Sequence, residues 1–228
     1  MLATDEFKKF AANVVLFLHN TSKVEDEPYP NLLREKGGNG YPTVSFMDHT
    51  GRVLTQQPFK KLTVPEIRKT FDRLQEWRKL KASGDPKLGK RLFVVEMEFG
   101  LLAFDEAKAA FAKVGDQLSA DEKAWIGKAM LELEFLSILK TIDIAKKATL
   151  VNAGKKFVAM IESDRIPQGP QITTFWHGAL TYAKSKSNAD LFEKIMHRAK
   201  KELVGDFRVK RYLEDVEAQL KRMRRVKR

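Results

Sequence analysis

The spacing of apolar residues changes several times along this chain, and each change predicts an element. Val14-Val15-Leu16-Phe17-Leu18 is a continuous apolar run bounded by Asn13 and His19-Asn20. A run of that kind, rich in β-branched residues, predicts a central strand buried on both faces. After Pro42 the pattern becomes strict alternation, with Val44, Phe46 and Asp48 interleaved with Thr43, Ser45 and Met47. Period two predicts a further strand. His49-Thr50-Gly51 turns the chain back, and residues 52 to 56 form the return strand. Thr63-Val64-Pro65-Glu66 is a capping box with an early proline. Beyond it Ile67, Phe71, Leu74 and Trp77 follow at spacings of 4, 3 and 3, which predicts a single buried stripe on a helix reaching residue 81. Upstream, Thr4 caps a helix over 5–12 carrying Phe7 and Phe10, residues 21–30 form a surface loop, and a short helix over 31–36 is stopped by Gly37-Gly38-Asn39-Gly40.

From residue 85 onward only helical patterns remain. Residues 82–87, Ala-Ser-Gly-Asp-Pro-Lys, predict a domain boundary and a fresh helix cap at Asp85. Helices are expected over 86–98 and 105–114, then from the Ser119-Ala120-Asp121-Glu122 capping box with Trp125, Met130, Leu133 and Leu136 inside. Others follow over 142–151, 153–162, 171–184, 189–203 behind Asn188, and 207–224. The fold class is α+β: an α/β part over 1–82, then an all-α bundle or irregular helical repeat over 85–228.

Composition narrows the function classes. The 228 residues are 43% hydrophobic and 32% charged, ordinary proportions for a globular chain, and no apolar run approaches a membrane span. Asp5 and Glu6 stand where a signal peptide carries basic residues, so the expectation is a cytoplasmic protein or one whose targeting segment has been removed. Cysteine is absent, which excludes disulfides, a thiolate zinc site and dithiol chemistry carried by this chain alone. The net charge of +12 is concentrated: residues 164–228 carry 16 basic and 8 acidic groups. Six of the cations are Lys221, Arg222, Arg224, Arg225, Lys227 and Arg228. That basic tail is either a contact for nucleic acid or an anionic surface, or a solvated helix end whose cations suit the helix dipole.

One stretch carries a family resemblance. Tyr41-Pro42-Thr43, the apolar strand after it, and Asp48-His49-Thr50-Gly51-Arg52-Val53-Leu54, set between a buried strand and a capped helix, resemble the second half of a thioredoxin-like domain. The resemblance covers about residues 1–80 and implies a cis peptide bond before Pro42. It also implies that Tyr41, Pro42 and Thr43 form a loop binding an extended peptide by strand addition. The first strands and the Cys-x-x-Cys of that family are not present. The chain is then a redox-silent relative, or a piece of a longer thiol-disulfide oxidoreductase whose reactive half lies upstream. Without those strands, the 14–18 strand needs another cover, a second copy of the chain included. In the helical half, Phe104-Asp105-Glu106-Ala107 with Phe111, and Phe175-Trp176 with Ala179, Tyr182 and Ala183, resemble tetratricopeptide helices, without a constant period.

Other chemistry finds little support. His19, Asp48, His49, His177 and His197 lack the spacing that sets two metal ligands on one helical face, so no metal is expected. Glu25-Asp26-Glu27 lacks the interleaved ligands of a calcium loop. No Lys-Ser/Thr follows the glycines at 37–40, and Ser22, Thr43 and Ser45 have no partnered base, so neither cofactor nor catalytic residue is assigned. Phe175 and Trp176 either line a groove or belong to a core. The leading expectation is a protein- or peptide-binding scaffold, with nucleic-acid or anionic-surface binding through the tail as the alternative.

Overall fold

The computed structural model describes residues 4–17, 29, 31–38, 42–57, 61–143, 145–169, 171–203 and 207–226. Among these it has ten α-helices and a two-stranded sheet, an α+β composition dominated by helix. The chain divides into two compact units, Met1–Leu102 with Ala109–Leu118, and Ala103–Lys108 with Ser119–Arg228. The predicted helical break is present, with Gly84 left-handed and the Asp85 carboxylate accepting from Lys87 N at 2.9 Å. The compact units divide further along, at 102 and 118.

In the first unit, Thr4 caps α1 (Asp5–Ala11) by accepting from Phe7 N at 3.3 Å. The chain then runs through 14–17 without forming a strand. This corrects the central strand expected at 14–18, of which Leu18 lies outside the described residues. Val14 packs partly against the core, but Val15, Leu16 and Phe17 are 99%, 58% and 61% exposed. Apolar β-branched composition gives a segment the capacity to be buried; burial also requires a neighbouring strand to take its N–H and C=O groups. Among the described residues the ladder runs between β1 (Val44–Met47) and β2 (Val53–Gln57) alone.

Before that hairpin, α2 (Leu32–Glu35) ends in a Schellman motif: Gly38 N donates to Leu33 O at 2.7 Å, Gly37 N donates to Arg34 O at 3.0 Å, and Gly37 is left-handed with φ 76°. The strands are antiparallel in the register Val44↔Gln57 and Phe46↔Thr55, with an irregularity before Met47↔Val53. The return strand therefore begins at Val53 rather than Arg52. Thr63 caps α3 (Val64–Ser83), accepting from Glu66 N at 3.5 Å. Phe7, Phe10, Val64 and Ile67 form the buried centre, with Phe46 and Phe71 packed against it. Phe10 meets Phe71 edge-on at 5.6 Å. A 3-10 turn leads into α4 (Gly89–Glu98), tied to α3 by Arg73 to Glu98 at 2.8 Å and by the ion pair of Arg91 with Glu76. Phe93 of α4 lies 6.3 Å from Phe111 in α5 (Phe104–Val114).

The second unit is helical. The Ser119–Glu122 capping box forms in both directions at the start of α6 (Ala120–Leu139). Its buried residues are Ile126, Phe135 and Ile138, whereas the predicted interior residue Leu136 is 42% exposed and Trp125, Met130 and Leu133 are partly buried. The two helices expected over 142–151 and 153–162 are a single helix, α7 (Lys147–Glu162). The expected gap at Asn152 is helical, and Gly154 beside it serves packing: a Cβ there would lie 2.1 Å from the carbonyl oxygen of Gly178 in α8 (Ile172–Ser185). Asn188 then caps α9 (Ala189–Glu202), and α10 (Phe207–Val226) follows. Each of α7 to α10 packs against the next. Phe135, Phe157, Phe175 and Trp176 join edge-to-face or tilted at 5.0 to 5.8 Å in one continuous core.

Candidate functional site

The loop implied by the resemblance falls at the edge of the described residues. Tyr41, and with it the peptide bond before Pro42, lies outside them. Pro42 is exposed and Thr43 half-buried, immediately before β1. Of the basic tail, Lys221, Arg222, Arg224 and Arg225 are exposed near the end of α10, while Lys227 and Arg228 lie outside the described residues. Arg224 is bound to Glu193 at 2.5 Å, whereas Arg222 and Arg225 form no ion pair among the described residues. The loop and the tail belong to different units.

The metal candidates do not assemble. Among the described residues no three His, Cys, Asp or Glu side chains gather. His49 is exposed in the hairpin turn, and His177 stacks at 6.4 Å from Tyr212. His197 sits 3.9 Å from Glu193, and His19 lies outside the described residues. Phe175 and Trp176 are core residues with no exposure, which settles groove against core in favour of core. The Trp176 Nε1 and Tyr212 hydroxyl groups are buried without a hydrogen-bond partner among the described residues.

A feature not assigned in advance lies where the hairpin turn meets the later turns of α3. An open pocket of about 450 Å³ has an apolar floor of Met47, Leu54 and Trp77. Its polar walls are Asp48 and His49 on the turn and Arg78 and Lys81 on the helix. Asp48 is occupied by its own turn: Oδ1 accepts from the Thr50 hydroxyl at 2.6 Å, Thr50 N at 2.9 Å and Arg52 N at 3.1 Å. The Thr50 hydroxyl, and then these backbone donors, hold its carboxyl below the ordinary value. Gly51, left-handed at φ 77°, lets the turn close with Gly51 N donating to Asp48 O at 3.0 Å.

On the opposite wall Trp77 is fixed by its Nε1 donating to Glu96 Oε1 at 3.3 Å. Lys81 Nζ stands 5.0 Å from the Trp77 ring centroid and 3.9 Å from Glu96. Arg78 is exposed and makes no ion pair among the described residues. Trp77 continues the stripe of Ile67 and Leu74, which are buried; it is itself half-buried, with Leu80 buried further along α3. The signal available in advance was a Trp followed at once by Arg and, four residues on, by Lys on a helical face.

Comparison with protein-family models, curated protein sequences and solved structures finds no match for this chain. Among the described residues, no helix is long and apolar enough to cross a membrane.

Proposed function

We propose that this chain is a redox-silent, thioredoxin-like scaffold that binds protein segments through its first unit. The observation supporting this is the apolar tripeptide Val15-Leu16-Phe17, turned to solvent beside the cluster that holds β1. Contiguous exposed apolar side chains mark interaction surfaces, and in the family resembled the bound peptide is held by strand addition. The absence of cysteine supports the redox-silent part, because the thiolate is the attacking species in disulfide exchange. Pro42 and Thr43, with Tyr41, are the loop inherited in this reading. The packing of α7 to α10, each on the next, supports a bundle or irregular helical repeat as the accompanying body.

The test is anisotropy of a fluorescein-labelled, apolar, extended peptide titrated with the full chain and with its Leu16→Asp/Phe17→Asp variant. Affinity is expected to fall about tenfold or more, the scale of losing an interface anchor. Equal binding by the variant sinks the proposal, and insulin reduction by the chain alone removes its redox-silent part. Sedimentation of the same samples reads whether a second copy covers the segment.

A second reading has its own observation. Arg222 and Arg225 are exposed on α10 without ion pairs among the described residues, on a helix whose Val216 and Leu220 are already buried in the core. That leaves cations rather than an apolar face for a polyanion. Steeply salt-dependent RNA or DNA binding that disappears on truncation after Gln219 supports it; salt-independent or absent binding removes it.

A further inference from the structure

We infer that the pocket between the hairpin turn and α3 is a docking site for an acidic, apolar segment of a partner protein, one apolar side chain entering it beside an Asp or Glu. This rests on reading the first unit as a protein-binding module. It adds a second contact with a defined chemistry. The floor of Met47, Leu54 and the half-buried Trp77 offers apolar and aromatic area to a Leu- or Phe-sized group.

Charge sets the rest of the partner. Arg78 and Lys81 stand three residues apart, so they share one helical face of the pocket wall. Arg78 has no ion pair among the described residues, and Lys81 reaches Glu96 only at 3.9 Å, so neither cation is neutralised by close contact. The one carboxylate in the lining, Asp48, accepts from three donors of its own turn through Oδ1. Asp48 stays charged, so the lining holds two cations to one anion; Arg78 and the loosely paired Lys81 stand next to apolar area on the wall of α3, and the complementary ligand carries a carboxylate next to an apolar side chain. Because the pocket is open at the surface, the middle of an extended segment can cross it, and the carboxylate is that of an internal acidic residue.

The chain has three tryptophans, at 77, 125 and 176, so ¹⁵N-tryptophan labelling yields three indole signals, with Trp77 assigned through Trp77→Phe. The probe is an end-capped Asp-Glu-Leu-Phe-Glu-Asp peptide. Its controls are the same peptide with Asn and Gln for the acids, and one with Ser for Leu and Phe. The acidic apolar peptide is expected to shift the Trp77 indole and leave that of core Trp176 unmoved. Both controls are expected to bind about fivefold more weakly or worse, as is the Arg78→Gln/Lys81→Gln variant, the scale of losing exposed charge pairs. Both substituted residues are exposed, so the variant keeps its fold, checked by its indole dispersion. The inference is overturned if the Trp77 signal does not move, or if the neutral peptide or the variant binds within about twofold. Binding that survives Arg78→Gln/Lys81→Gln but is lost in Leu16→Asp/Phe17→Asp overturns this site while leaving the protein-binding reading intact. No binding of any of the peptides by the unsubstituted chain overturns both.

Discussion

The two units bury apolar residues to very different extents. In the second, nineteen buried residues from Phe135 to Leu220 form one continuous core, with four large aromatics at its centre. In the first, the cluster around the hairpin has four buried residues, eight more (Leu54, Leu74, Leu80, Phe93, Val95, Met97, Val114 and Leu118) are buried outside it, and three consecutive apolar side chains near the cluster stay in water. A chain folds by offsetting conformational entropy with apolar burial, so the second unit is the stable body. The first keeps unburied apolar surface of the kind that binding consumes. The division also separates the two candidate partner surfaces: apolar area with the cations of α3 beside it in the first unit, and on α10 in the second exposed cations without ion pairs among the described residues.

The strongest way to break this comparison is to delete a ring from each core. Phe157→Ala removes a fully buried ring touching both Phe135 and Phe175, and is expected to cost about 3–5 kcal/mol in urea unfolding. Phe10→Ala leaves its hole in a small cluster bordering water, which can collapse, and is expected to cost about 2–3 kcal/mol. Equal costs would mean the two cores are equally rigid.

Next comes a pair of identical substitutions with opposite signs. Gly154→Ala forces a methyl against the backbone of Gly178 and is expected to destabilise by about 1–3 kcal/mol. Gly127→Ala, in the interior of α6 with nothing within 4 Å, is expected to stabilise by about 0.5–1 kcal/mol. Melting temperatures that move the same way in both variants would remove the close-packing account of α7 and α8.

Much of the local structure was legible from residue types. Thr4, Thr63, Asp85, Ser119 and Asn188 all cap helices as their positions predict, because a cap needs only a side chain and the next turn. The hairpin was legible for the same reason, since alternation and a left-handed Gly51 are local. What failed depended on distant partners. Val15 to Phe17 have the composition of a buried strand, but no sequence pattern states which neighbour is to pair with them. The packing role of Gly154 was invisible because its partner, Gly178, lies 24 residues further along the chain. The pocket was illegible because Trp77 follows the buried period of α3, and its half-exposed flank borders the hairpin turn only through tertiary packing.

The dense core also holds a misfit that can be measured. The Tyr212 hydroxyl is buried without a partner among the described residues, and burial raises its pKa from about 10 to about 12. A raised folded value means the native state holds the proton more tightly. That stability is complete below pH 10 and is lost as pH rises towards 12. Tyr212→Phe deletes the unsatisfied group, and is expected to stabilise by about 1 kcal/mol at pH 8 and to flatten the alkaline loss. Weaker folding at pH 8 would reveal a partner for the hydroxyl.

The smallest expected effect concerns how each unit ends its helices. After α2, α3 and α4 the first unit places Gly37, Gly84 and Gly100 in the left-handed region, at φ 76°, 61° and 62°. After α7 and α8 the second unit places Asp164 and Ser187 there instead, at φ 55° and 50°. Both make the full Schellman pair; for Ser187, its N donates to Lys184 O at 3.0 Å and Asn188 N donates to Ala183 O at 3.1 Å. Asp164 gains an ion pair with Arg198 at 2.6 Å, which offsets its backbone strain. Ser187 shows no such compensation, and a non-glycine residue in this conformation costs roughly 1–2 kcal/mol, of which glycine's extra unfolded-state entropy returns a part. Ser187→Gly is therefore expected to stabilise by about 0.5 kcal/mol, read as a small rise in melting temperature. Asp164→Gly, which also breaks the Arg198 pair, is expected to gain nothing. If both glycine variants stabilised equally, the ion pair would contribute no stability, and the second unit would simply tolerate strain at both helix ends.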